Sequence, residues 1–73
     1  MAALSSMKTG TVGIVTFLTT DDLKMINRLL AMGVSPGVEI HLEQQFPSYI
    51  IRIGRSRAAL DEAIANAIYI QPQ

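Results

Sequence analysis

At 73 residues, 49% of them apolar, the chain has room for one domain spanning 1–73 and the material for a hydrophobic core. It has no cysteine, which excludes a disulfide scaffold and a thiolate metal site. Six basic side chains balance six acidic ones, so there is no electrostatic basis for binding nucleic acid across a broad face, and neutrality favours self-association. No stretch approaches the ~18 apolar residues that insert into a bilayer. The start, Met1 to Lys8, lacks the basic beginning and long apolar run of a signal peptide, and the expected location is cytoplasmic.

Residues 1–6 are expected to be mobile, although Leu4 and Met7 are apolar, three apart, and able to tuck in. Thr11 to Leu18 (TVGIVTFL) is rich in β-branched residues and reads as a strand. Gly13 inside it signals a bulge, a bend or a close backbone approach. Asp21 to Met32 (DDLKMINRLLAM) reads as a helix, with Thr19 as its cap and Asp22 three residues on. Leu23, Ile26 and Leu30 form one stripe at helical spacing, taken as the core face. Gly33 suits the left-handed position after the helix, and Val34 folds back on its end. Ser35-Pro36-Gly37 is the pattern of a type II turn.

Val38 to Gln44 alternates strictly, with Val38, Ile40 and Leu42 on one side and Glu39, His41 and Glu43 on the other. Tyr49 to Gly54 is the strand that returns from a short Phe46-Pro47-Ser48 connection, and Arg52 is placed near Glu39, Glu43 or both. Ala58 to Asn66 reads as a short helical turn capped by Ser56, and Ala67 to Gln71 as a closing strand. The predicted fold is mainly β, with one α-helix and a short helical turn, in a small, partly open barrel.

Three stretches carry a family resemblance. LLAMGVSPGVEI at 29–40 and IGRSRAALDEAIANAIYI at 53–70, with the opening from Leu4 to Ile14, resemble the FeoA family, ferrous iron transport protein A. The resemblance runs over nearly the whole chain. It implies an SH3-like barrel in a cytosolic protein that interacts with, or regulates, the FeoB membrane transporter and its GTPase domain. A related domain forms the C-terminal part of diphtheria-toxin-repressor-type metal-dependent regulators, which gives the alternative of a module that binds a transition metal or modulates a regulator. Many members carry a longer Pro-Leu-Gly-Asp-Pro loop in the hairpin, where this chain has only Gln45-Phe46-Pro47-Ser48.

The serines Ser5, Ser6, Ser35, Ser48 and Ser56 fall in termini and turns around a single histidine, and no Gly-rich phosphate loop with a following lysine occurs, so catalysis is not expected. Glu39, His41 and Glu43 share a strand face at spacings of two and could converge on a transition metal such as Fe²⁺ or Mn²⁺, although a solvated strand face shows the same pattern. No cofactor is required by the sequence. Arg52, Arg55 and Arg57 form a candidate basic patch, or a solvated strand edge. Met25, Leu29 and Met32 form a second helical stripe that a domain this small would hardly cover, and flexible methionines suit adaptable interfaces. That stripe, extended by Phe46 and Tyr49, is the expected partner-binding surface, with an FeoB-type transporter or a second copy as its partner.

Overall fold

The computed structural model describes residues 1–73. Six antiparallel strands form one sheet: β1 (Ala2–Ala3), β2 (Val12–Leu18), β3 (Glu39–Gln44), β4 (Tyr49–Ile53), β5 (Ser56–Leu60) and β6 (Ile68–Pro72). Their spatial order is β1-β6-β2-β3-β4-β5, so β1 and β5 are free edges and the SH3-like barrel is left open. Helix α1 (Leu23–Ala31) links β2 to β3, and the short α2 (Glu62–Ala67) links β5 to β6.

The N-terminus is tied down rather than mobile. Ala2 and Ala3 pair with Ile70 and Tyr69, a 3-10 turn follows at Leu4–Ser6, and Leu4 is fully buried. Burying one such leucine stabilises by about 1.5–3 kcal/mol, which offsets part of the cost of ordering the segment, and the pairing with β6 adds to it. Met7 packs against the same core, as its spacing from Leu4 suggested.

Gly13 marks a close approach. It pairs with Ile40 on β3 and Pro72 on β6, and a Cβ placed there would lie 2.8 Å from the backbone oxygen of Gln71. The register between β2 and β6 shifts between Val15 and Phe17, a bulge at Thr16.

Helix α1 is capped by Asp22, not Thr19. The Asp22 carboxylate accepts from the backbone N–H of Lys24 and Met25, while Thr19 bonds to the Ala67 carbonyl. The helix ends as the sequence indicates. Gly33 has φ +87°, its N–H donates to Leu30, and the N–H of Val34 donates to Leu29 at 2.9 Å. These two bonds define a Schellman motif. Ser35 to Val38 then closes a type II turn, with the Val38 N–H on the Ser35 carbonyl and Gly37 at φ +93°.

The segment after β4 departs from expectation. Residues 56–60 form a strand rather than the start of a helix, paired in continuous register with β4 from Ile53↔Ser56 to Tyr49↔Leu60. Gly54, at φ +59°, and Arg55 make the two-residue connection. Helix α2 starts later and is capped by Asp61, whose carboxylate accepts from the Ile64 N–H at 2.8 Å.

The core is wholly apolar, with no polar side chain fully buried. It joins Val15, Ile40, Leu42 and Ile51 from the sheet to Leu29 and Val34 from the α1 end and to Ile64, Ile68 and Ile70.

Candidate functional site

Two surfaces concentrate the chemistry of this domain: the outer face of β3–β5 and the outward face of α1. On the sheet, His41, Arg52 and Arg57 lie directly opposite one another across β3, β4 and β5. Two adjacent arginines repel. The register of β3 against β4 slips between Leu42 and Gln44, which makes Glu43 the extra residue of a bulge. Glu43 reaches both cations, accepting from Arg57 Nε at 2.5 Å and from Arg52 Nε at 3.2 Å. Arg52 donates through a second nitrogen to His41 Nδ1 at 3.0 Å, and His41 Nε2 lies 3.1 Å from Glu39. With Arg52 donating, Nδ1 is the acceptor and Nε2 faces the Glu39 carboxylate as donor.

The hydrogen bond from Arg57 holds the Glu43 carboxyl below its ordinary value; Arg52 adds to this, and partial desolvation opposes it. Glu43 in turn raises Arg57. A carboxyl lowered in the folded state stabilises above its ordinary value, and that contribution is lost as pH falls through the lowered one. Glu43→Gln is therefore expected to be less stable than wild type at neutral pH, with the gap closing in acid. Urea midpoints taken across that range check this, and a gap that is constant with pH would show that Glu43 contributes by shape alone.

The arrangement bears on two minority candidates from the sequence. Glu39, His41 and Glu43 do not converge into a group that could hold a metal, because Arg52 occupies His41 Nδ1 and Glu43 is held by two arginines. Nor are the three arginines all free: Arg52 and Arg57 share the one carboxylate of Glu43, which offsets only part of their charge, and only Arg55 stands alone in the turn. The expected neighbourhood of Arg52 and Glu43 is present.

The helix is turned by about 100° from its expected phase. Leu29 is fully buried, and Met25 and Met32 pack against the core. Leu29 is thus not available to a partner, and the stripe taken as the core face is the outward one. Leu23 is 72% exposed, Leu30 49%, and Ile26 is half-buried between them. Phe46, at 87%, is the most exposed large apolar side chain, and Tyr49 beside it is half-buried against the core. The outer surface also carries a Phe17–Tyr69 stack, with centroids 4.8 Å apart, which the sequence did not single out.

A groove of about 500 Å³ lies between the hairpin tip (Gln45 to Tyr49) and the β5–α2 junction (Leu60 to Glu62). Asp61 and Glu62 carry no ion pair. No signal in the sequence joined these segments, because the pairing of Tyr49 with Leu60 depends on the missed strand β5. No helix is long and apolar enough to cross a membrane.

Comparison with known proteins agrees with this architecture. A Leptolyngbya boryana protein provisionally named Fe(2+) transport protein A is 30% identical over 44 residues, 60% of this chain and 54% of that protein, so the match spans about half the length of the relative. The crystal structure of an iron uptake regulatory protein, FeoA, is 26% identical, with a TM-score of 0.89 over 99% of this chain and 96% of that one. IdeR of T. acidophilum has a TM-score of 0.93 at 15% identity over 34% of its own length, a likeness of fold alone. The FeoA domain model matches residues 2–72, and with the open six-stranded SH3-like sheet in place the chain belongs to the FeoA family.

Proposed function

We propose that this domain is an accessory or regulatory module of ferrous iron transport that works by docking on the cytosolic part of an FeoB-type transporter rather than by catalysis. One observation carries the reading: α1 presents Leu23, Ile26 and Leu30 outward from a helix fixed at both ends, by the Asp22 cap and by the Schellman motif. Apolar side chains held rigidly at i, i+3 and i+7 are the anchors with which a helix enters a partner's groove. The docking face is therefore the stripe at Leu23, Ile26 and Leu30, not the face at Met25, Leu29 and Met32.

Leu30→Glu keeps the core intact and puts a charge at the C-terminal end of this face. It is expected to leave the circular dichroism spectrum and melting temperature near wild type while reducing co-purification of the detergent-extracted transporter by roughly 10-fold or more, the scale of a buried unpaired charge. Undiminished capture by a folded Leu23→Glu/Leu30→Glu variant would remove α1 as the docking face.

A further inference from the structure

Strand β5 ends the sheet, and its backbone makes no hydrogen bond beyond its ladder with β4. Natural edge strands are usually guarded by bulges, prolines or inward charges. This one has an unbroken register, no proline, and Ala58 and Ala59 at its centre. The small side chains leave the backbone groups within reach. Arg57 does not guard the edge, because its guanidinium is drawn across β4 to Glu43.

The two ends of the edge differ in charge. Arg55, without an ion pair, sits in the turn that precedes the strand, and Asp61 and Glu62, also unpaired, follow it. The five strand residues set these ends about 17 Å apart. At the acidic end the edge runs into the groove of about 500 Å³, where Phe46 and Tyr49 form one flank and Leu60 is buried.

We propose that the β5 edge takes up an extended segment of a partner protein as a seventh, antiparallel strand. The segment carries a lysine or arginine at its N-terminal end and an acidic residue about five positions later. The cation seats in the groove, over the Phe46 ring and beside Asp61 and Glu62, and the acid meets Arg55. Main-chain bonds supply affinity and the two charges fix direction and register. A second copy's β5 carries the same order of charges, Arg55 and then Asp61 and Glu62, and its self-pairing is the competing occupant that sedimentation detects. This rests on the reading that the domain acts by binding a protein, but it concerns a surface other than α1, so the two tests fail independently.

The test titrates the isotope-labelled domain with the blocked hexapeptide Arg-Val-Thr-Val-Thr-Glu and, separately, with its charge-exchanged counterpart Glu-Val-Thr-Val-Thr-Arg. The expected result is amide shifts confined to residues 46–49 and 55–62, slowed hydrogen exchange at alternate β5 amides, and weaker binding of the exchanged peptide. Phe46→Ala should weaken the first peptide by roughly 2–5-fold, the scale of an exposed cation–π contact. Glu62→Gln, which removes a charge without touching the Asp61 cap, should weaken it further, and Arg55→Glu should abolish the preference between peptides. The proposal is overturned by an absence of shifts, by equal binding of both peptides, by shifts centred on α1, or by sedimentation showing a dimer that already protects β5.

Discussion

Leu29→Ala is expected to lower the unfolding free energy by about 2–5 kcal/mol, the range for emptying a fully buried leucine site. A domain of 73 residues holds roughly 4–11 kcal/mol in total, at about 0.05–0.15 kcal/mol per residue. One methyl cluster is therefore a large part of the whole. The neighbouring Leu30→Ala, on the outward face, is expected to stay within about 0.5 kcal/mol. Urea denaturation of the pair separates the two helix phases directly. If Leu30→Ala proves the costlier change, α1 is rotated by about 100° from the orientation described.

The second large effect is at Gly13. A methyl group there would meet the backbone oxygen of Gln71 at 2.8 Å and Ile70 Cδ1 at 3.3 Å. The isoleucine tip can swing away, but the carbonyl is fixed within the β2–β6 pairing. Gly13→Ala must therefore push β6 away from β2, an overpacking that costs about 1–3 kcal/mol. In a domain this size each kcal/mol moves the melting temperature by about 4–8 °C. The expected fall is about 4–24 °C, with the far-UV spectrum of the folded state retained. A melting temperature equal to wild type would mean that the strands stand further apart than described.

Some of this architecture was written plainly in the chain. The strict alternation from Val38 to Gln44 and the Gly33 and Pro36-Gly37 signals are local devices, each tied to one backbone geometry, and they appear where the residues place them. Strand β5 was not legible in the same way. Its Ser-Arg-Ala-Ala-Leu run contains no β-branched residue and favours a helix by intrinsic propensity; pairing with the Ile-rich β4 overrides that preference. The only local sign was a Gly-Arg pair between two runs of strand length. With β5 unseen, Arg57 could not be placed opposite Arg52, and the double hold on Glu43 could not be read.

The helix phase is a different kind of error. Leu23-Ile26-Leu30 and Met25-Leu29-Met32 are both stripes at spacings of three and four, so periodicity alone cannot choose between them. The end of the helix does choose. In a Schellman motif the residue after the glycine contacts the one three positions before the cap, here Val34 on Leu29, and both are fully buried. Once Gly33 is taken as the stop, Leu29 is committed to the inside, and with it Met25 and Met32.

The place of β6 governs when this domain can come into being. Residues 68–72 form the strand that joins β1 to β2, so a strand from late in the domain's sequence takes an interior place in its sheet. Until it docks, Leu4 and Val15 have no Ile68 or Ile70 to cover them, and the β2 edge that β6 will occupy stands open. Closing the sheet therefore waits on a pairing between distant parts of the chain, which makes folding slow.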